Sequence, residues 1–328
     1  MQKGISVVIP NYNGAKLFPE TLPTVFTALK NTSLPWEIIV CDDCSTDNSI
    51  AFLQAGFPEI KIITTKSNSG FSVTANKGIN AAQFDWILLL NNDVKLEPIY
   101  FYPQLKYFEA SDTFGIMGRI VGWDNDTIQD GAKYPSFHGV KIKTAGNYLL
   151  KNEAEMKNGL YSMYLSGANA FINKNVFLQI GGFDEIFSPF YVEDYELSLR
   201  AWRLGYKCYY EHSAVCRHQT STTIKSKNRK NEIEKIYNRN KMYLHAIHLT
   251  SAKRYVYYVQ LFFEMLTRIV TGRFAFVQSI FAFIKNYKQV RNSRKRFYQK
   301  ANNKNVLSVK DISDNILNSL KDKEIVRF

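Results

Sequence analysis

Apolar residues in the first half of the chain recur in two alternating periods. Residues 5–9 form a short apolar run, closed by the turn formers Pro10, Asn11, Tyr12, Asn13 and Gly14, and predict a buried strand. Helical spacing follows over about 17–29. A second strand, 37–41, stops at Asp42, Asp43, Cys44, Ser45, Thr46 and Asp47, whose Ser and Asp suit a helix start. A third spans 60–64; Asn68, Ser69, Gly70 and Phe71 form a loop that leads into a helix through Ala82. The fully apolar run 86–90 is a fourth strand, ending at Asn91, Asn92 and Asp93.

This alternation implies a parallel sheet covered on both faces. In open parallel sheets ligands collect at the carboxyl ends of the strands. Three polar clusters, 10–14, 42–47 and 91–93, fall at those ends. The pattern alone therefore marks a candidate site there.

Residues 100–165 hold scattered strand and turn signals and support no assignment. Beyond them lie a strand near 168–172, a helix near 175–180 and a turn at Gly181, Gly182, Phe183 and Asp184. A helix over about 192–204 is closed by Gly205. A strand over 208–215 delivers Arg217 and His218 to its end. From 220 the pattern changes. Residues 225–241 are rich in Lys, Arg and Asn, and 255–271 are apolar except for a stripe of Gln260, Glu264 and Arg268, which reads as an amphipathic helix. A second apolar stretch, 274–284, is followed by Lys285, Lys288, Arg291, Arg294, Lys295 and Arg296. Neither stretch reaches the ~18 uncharged residues of a spanning helix.

Charge divides the chain in the same place. Of the formal +13, residues 1–216 contribute 18 Lys and Arg against 22 Asp and Glu, and residues 217–328 contribute 24 against 7. The basic excess belongs to the C-terminal third and on charge alone suits equally a polyanionic partner or a solvated, partly disordered tail. An anionic membrane surface is the expectation. Nucleic acid is not, because no recognition motif accompanies the charge. A composition 45% hydrophobic and 22% charged gives enough material for a core and one or two domains. Cys41 and Cys44 form a C-x-x-C, but Cys208 and Cys216 lack zinc-ribbon spacing, so reduced structural cysteines are expected. The run 5–9 is too short for a secretory signal, so a cytoplasmic catalytic body is expected.

Taken in order, VVIPNYNG (7–14), EIIVCDDCSTDNS (37–49), NSGFSVTANKGIN (68–80), LLLNNDV (88–94), GGFDEIF (181–187), EDYELSLRAWRLGY (193–206) and the closing His218 resemble the family 2 glycosyltransferases of the GT-A fold, notably bacterial rhamnosyl- and galactosyl-type enzymes. The resemblance runs from about Ile5 to His218. It implies an α/β, Rossmann-like fold with a mixed, mainly parallel sheet flanked by helices. A catalytic domain would span 1–222, with a nucleotide-sugar half over 1–95 and an acceptor half over 96–222. A basic helical extension over 223–328 would attach it to the inner face of the membrane.

The resemblance also implies roles. Pro10, Asn11, Asn13, Asp42, Asp43, Asn68, Gly70, Asn76, Asn92 and Asp93 would bind a UDP- or dTDP-linked sugar, with Asp43 as the preferred base contact. Of Asp42, Asp43 and Asp47, one would bind and another would cap the next helix. Lys66 or Lys77 would supply a positive charge near the diphosphate. Asp93 and His218 would hold a divalent Mn or Mg ion, since hard oxygen donors suit such ions. Relatives usually carry Asp-x-Asp at 91–93; Asn91 removes one charge there. Asp194 would take the proton from the acceptor hydroxyl, with Glu193 and Glu196 as alternatives. Gly167, Glu193 and Trp202 would line the acceptor side of an inverting transfer to a saccharide or lipid-linked acceptor. Asn91 motivates a rival reading, a sugar-nucleotide-binding scaffold without turnover. A nucleotidyltransferase is disfavoured, because 10–14 is not a Gly-rich, basic triphosphate loop.

Overall fold

A computed structural model of the chain describes residues 2–219, 230–301 and 305–328. In the first half, β1 (Gln2–Asn11), β2 (Trp36–Asp42), β3 (Lys61–Thr64) and β4 (Phe84–Leu90) alternate with α1 (Phe18–Lys30), α2 (Ser49–Gly56) and α3 (Phe71–Ala81). The four strands lie parallel in the order β3-β2-β1-β4, as the alternating pattern predicts. Side-chain alternation explains why both faces are covered. Val7, Ile9, Ile38 and Val40 enter one apolar cluster with Phe18, Leu22 and Val25 of α1. Val8 and Ile39 enter the opposite one with Ala75 and Ile79 of α3.

The second half adds β5 (Val94–Leu96), β6 (Thr113–Gly122), β7 (Ile128–Asp130), β8 (Ala132–His138), β9 (Lys141–Leu150), β10 (Leu160–Tyr161), β11 (Asn169–Asn173) and β12 (Lys207–His218). Strand β11 runs antiparallel between β4 and β6, while β6 and β12 are parallel, so the sheet is mixed. Helices α4 (Lys174–Ile180) and α5 (Glu193–Arg203) cover this half. Residues 100–165 resisted assignment for a physical reason. Besides the buried interior strand β6, they hold two 3-10 turns, the short strands β7 and β10, and the hairpin β8–β9, which leaves the main sheet for a small one of its own. The four cysteines are free, and Cys41, Cys208 and Cys216 are buried.

Helices α6 (Lys230–His248), α7 (Ser251–Val270), α8 (Phe274–Lys285), α9 (Tyr287–Ala301) and α10 (Val309–Asn318) follow, and β13 (Ile325–Arg327) returns to pair with β9. They pack on the second half of the sheet domain: Tyr243, Leu244 and Ile247 share one core with Phe177, Trp202 and Tyr210. The expected division after residue 95 falls inside β5, which is tied to α1 on one side and β12 on the other. The expected boundary at 222–223 lies outside the described residues.

Two buried histidines of α6 secure this packing. His245 accepts the Ile142 amide on Nε2 (2.9 Å) and donates from Nδ1 to the Lys241 carbonyl. His248 donates from Nε2 to Glu196 (3.1 Å) and accepts Arg203 on Nδ1 (3.3 Å). Each pattern requires a neutral ring. Burial holds both rings in that form, lowering their pKa from the ordinary 6.5 to about 4. Burial alone would raise Glu196, but Arg200 and His248 outweigh it and bring the carboxyl to about 2.

All three groups bind fewer protons folded than unfolded, so acid favours the unfolded chain. Stability should fall as pH drops from about 6.5 toward 4 through the histidines, and further from 4.5 toward 2 through Glu196. The loss should be on the order of a few kcal/mol by urea denaturation across that range, and His245→Gln should reduce its slope between pH 6.5 and 4.

Candidate active site

The carboxyl ends of β1, β2 and β4 are joined by side chains. Asn11 closes β1 and is buried; its Nδ2 donates to Asp42 Oδ1 (2.7 Å), and its Oδ1 accepts from Asn92 Nδ2 (2.8 Å). Ser45 folds back on Asp42 with its amide on Oδ2 (2.8 Å) and its hydroxyl on Oδ1 (2.5 Å). Asn13, in left-handed backbone (φ 58°), receives the amides of Thr46 and Asp47 on its Oδ1. A Cβ on Gly14 would lie 2.2 Å from Asn11 Oδ1 and 2.5 Å from Asn92 Nδ2, so glycine alone permits this approach. The three clusters read from the sequence thus form one wall, with Pro10 partly exposed at its edge.

Within that wall the acids divide. Asp42 is 0% exposed and its hydrogen bonds are internal, so it is a structural carboxylate rather than a ligand contact. Asp43 accepts Thr65 Oγ1 (2.9 Å) and the Ser69 amide (2.8 Å) on Oδ1, and the Gly70 amide (2.8 Å) on Oδ2. Only 5% exposed, it organises the loop that carries the exposed Asn68 instead of standing open to a base. Asp47 precedes Asn48, the N-cap residue of α2, and accepts the Ser49 amide (3.0 Å) and the Ala15 amide (3.0 Å), so it ties the first βα loop to the second without holding the capping position. Lys66 is exposed, and Lys77 donates to the Thr64 carbonyl. Asn76 departs from its expected place. Its amide donates to the Phe183 carbonyl (3.0 Å) and Glu185 (3.1 Å) and accepts the Phe183 amide (2.9 Å). Lying on α3's side toward Phe183, it staples that helix to the turn after α4.

Asp93 and His218 meet through strand pairing. β5 runs antiparallel to the end of β12, with Val94 opposite His218, and the Gln219 amide donates to the Asp93 carbonyl (3.1 Å). His218 Nε2 lies 3.4 Å from Asp93 Oδ1. That is ion-pair range, but the contact is not aligned as a hydrogen bond, and Asp93 Oδ1 is buried with no hydrogen-bond partner. An orphaned buried carboxylate oxygen beside an imidazole is a donor pair suited to a divalent cation. Among the described residues no cluster of three or more His, Cys, Asp or Glu is poised for a metal. Two protein donors still fit an ion whose shell is completed by substrate phosphates.

Asp194 lies in the first turn of α5, where the helix dipole favours an anion. Its Oδ2 accepts the Gly167 amide (3.2 Å) and its Oδ1 the Tyr195 amide (2.7 Å). Gly167 precedes Ala168, whose carbonyl accepts the Asn91 amide (3.0 Å), so Asp194 is anchored beside the backbone contact that leads to Asp93. Burial raises the Asp194 pKa, opposed by those two amides and the Lys133 charge. Burial and the charge of Asp194 push its neighbour Glu193 well above the carboxylate range, and Glu193 Oε2 has no partner. The two adjacent acids interact, and burial shifts both toward the protonated form.

Two expectations fail on packing. Trp202 is 3% exposed, with its ring against Tyr161 and its Nε1 donating to the Ser162 carbonyl (2.9 Å), so it belongs to the core and not to an acceptor surface. Glu196, an alternative base, is engaged by buried Arg200 (3.1 Å to Oε1) and by His248. Other residues near Asp194 escaped the sequence reading. Tyr164 and Tyr195 stack at 4.6 Å, and Lys133 lies over the Tyr164 ring while donating to Asn147 (2.9 Å). Tyr164 and Lys133 lie in the stretch without periodicity, where no pattern could single them out.

The family description "Glycosyl transferase family 2" matches residues 6–180, more than half of the chain. The chain belongs to that family. Among its curated relatives, the chondroitin synthase of Escherichia coli is 24% identical over 242 residues, 66% of this chain and 34% of its own length. The N-acetylglucosaminyl-diphospho-decaprenol L-rhamnosyltransferase of Mycobacterium tuberculosis is 24% identical over 221 residues, 58% of this chain and 69% of its own. The chain therefore spans only about a third of the synthase it matches. Two solved structures share the fold. GalNAc-T7 with UDP, GalNAc and Mn2+ has a TM-score of 0.65 at 14% identity, covering 97% of this chain and 57% of that one. The mannosyltransferase PcManGT of Pyrobaculum calidifontis with GDP-Man and Mn2+ has a TM-score of 0.53 at 14% identity, covering 93% and 87%.

Gly70 provides a direct check on this site. It adopts φ +87°, and a Cβ there would lie 2.7 Å from Pro189 Cα and 2.8 Å from its carbonyl. Gly70→Ala should destabilise the protein by about 1–3 kcal/mol in thermal or urea unfolding, from strain and collision together.

Proposed function

We propose that this glycosyltransferase moves a sugar from a UDP- or dTDP-linked donor to a hydroxyl of a saccharide or lipid-linked acceptor, with inversion, in polysaccharide synthesis. One observation carries the reading: the orphaned Asp93 Oδ1 beside His218, at the strand end where Gly167 anchors Asp194. The names of the synthase and the decaprenol-linked rhamnosyltransferase support the product class.

Asp93 and His218 are the residues that would hold a Mn or Mg ion. Such an ion, when bound, neutralises a diphosphate as it leaves. The wall of Pro10, Asn11, Asn13 and Asn92, and the loop of Asn68 and Gly70 that Asp43 shapes, would seat the nucleotide. Asp194 accepts the proton of the acceptor hydroxyl while that oxygen bonds to the anomeric carbon and the carbon–diphosphate bond breaks. Its raised pKa brings it nearer the working pH of a base. Glu193 and the Gly167 backbone line the acceptor side.

A panel of nucleotide sugars read by thermal shift, with and without Mn2+, should reveal a stabilising donor, since ligand that binds the native state raises its stability. Asp93→Asn and His218→Ala should weaken Mn2+ binding in a direct titration. Asp194→Asn should cut turnover by about 10²–10⁴-fold with donor binding intact. Wild-type protein that binds donor yet neither transfers nor hydrolyses it would favour the scaffold reading.

A peripheral position on an anionic inner membrane face belongs to the same proposal. Among the described residues no helix is long and apolar enough to cross a membrane. Helix α7 instead turns its polar stripe inward, Glu264 pairing with Lys141 of the β8–β9 hairpin, and leaves Tyr255, Val256, Phe262, Phe263 and Val270 exposed. Phe274, Phe281 and Ile284 of α8 extend this apolar face, and Arg273, Lys285 and Lys288 are exposed nearby. An outward apolar face with a basic rim suits the interfacial zone of a bilayer, where each Lys or Arg adds ~1 kcal/mol. Sedimentation with phosphatidylglycerol vesicles should be strong at low salt, weak at high salt, and lost with Phe262→Glu plus Phe263→Glu. Self-association of wild-type protein without vesicle binding would assign the face to a second copy instead.

A further inference from the structure

The segment that leads into Asp194 is held in a conformation its residues rarely adopt. Tyr191 and Val192 both have positive φ, 75° and 73°, and neither is glycine. Val192, β-branched, immediately precedes α5, and its carbonyl accepts the Glu196 amide (2.9 Å) as the first turn begins. A strained backbone persists only where its surroundings over-determine it. Here those surroundings come largely from the C-terminal helix α6.

Asn240 of α6 is fully buried. Its Nδ2 donates to three carbonyls of this segment: Phe187 (2.6 Å), Phe190 (3.0 Å) and Tyr191 (2.8 Å). Its Oδ1 accepts from Arg239 Nε (3.0 Å) and Nη2 (2.9 Å), which fixes the amide's orientation, and Arg239 Nη2 also reaches the Ser188 carbonyl (2.6 Å). On the other side the Phe71 amide donates to the Pro189 carbonyl (2.9 Å), next to Gly70, whose own amide is held by Asp43. The segment 187–192 is therefore clamped between the loop proposed to seat the donor and a helix that no motif of the family resemblance includes.

We infer that Asn240 is a positioning residue for the transfer: from α6 it holds the strained turn that sets Asp194 at the mouth of the sheet. This rests on the proposed role of Asp194. A side-chain amide suits the task, because it alone offers two N–H donors to the carbonyls and one acceptor to Arg239. Aspartate has the same shape but offers those carbonyls no donor when ionised and a single O–H when protonated.

Asn240→Asp is the test, compared with wild type and with Asp194→Asn. On the donor identified by the panel, kcat should fall on the order of 10²-fold, as expected for a reacting group displaced by about 1 Å, while the donor Kd changes less than about twofold. The acid limb of the pH–rate profile should move to lower pH as water reaches Asp194. Hydrogen exchange of amides 190–196 should accelerate while that of β1 does not, a readout that needs no turnover. Unchanged kcat per folded molecule, pH profile and exchange would overturn the inference. Should Asn240→Asp fail to fold, Arg239→Ala at the half-buried edge of the clamp should give the same pattern at smaller amplitude, and its absence there would count equally against the idea. Turnover that survives Asp194→Asn would sink the base assignment alone, leaving the exchange result to judge the clamp.

Discussion

The hydrogen bonds that run from Asn92 through Asn11 to Asp42 are the constraint on which the rest of the site depends. They lie at the carboxyl ends of three adjacent parallel strands, where backbone pairing stops and side chains must satisfy what remains. Asp42 is wholly buried, and a buried carboxylate persists only when it is densely hydrogen-bonded. Asn11 and Ser45 meet that need, and in doing so they lock the chain on either side. Asn92, held by the same amide, sets the direction in which Asp93 leaves β4. A distortion at Asn11 would thus reach the polar wall at the strand ends and Asp93 together.

The acids of this family 2 chain fall into two groups by environment rather than by sequence. Asp42, Asp43 and Glu196 are buried and supplied with partners, and they hold segments together. Asp93 and Glu193 are under-supplied, while Asp194, half-buried, accepts one backbone amide on each oxygen. Asp93 and Glu193 each keep an orphaned oxygen, and Glu193 and Asp194 are shifted upward by burial. Groups left poorly solvated inside a folded protein represent stability forgone, and such sites concentrate where chemistry occurs. The second group lies at the end of β4 and the start of α5, which the antiparallel insertion of β11 brings together.

The C-terminal helices are part of the same body in a physical sense. Neutral His245 and His248 tie α6 to β9 and α5, and the apolar residues of α6 complete a core begun by α4 and α5. Helix α7 shows that amphipathicity has a direction that periodicity does not reveal. A stripe of Gln260, Glu264 and Arg268 on an apolar helix would turn to water if the helix had no partner. Lys141 on the β8–β9 hairpin draws Glu264 inward instead, and the apolar side is left outside.

Much was legible in the chain itself. The βα alternation of residues 5–90, the four parallel strands and the polar clusters at their ends follow from local periodicity and turn chemistry, which need only near neighbours. The order of motifs resembled a family to which the chain belongs. Sequence could not decide which side chains stay open, because that depends on partners distant along the chain: Gly70 for Asp43, His248 for Glu196, the Ser162 carbonyl for Trp202. Nor could it find Asn240, whose importance arises from three carbonyls some fifty residues earlier. Secondary structure is written in short-range spacing. The burial, charge state and orientation of a side chain are set by what the fold lays against it, and for this protein that meant the tertiary structure alone separated the acids that hold the site from those left free to act in it.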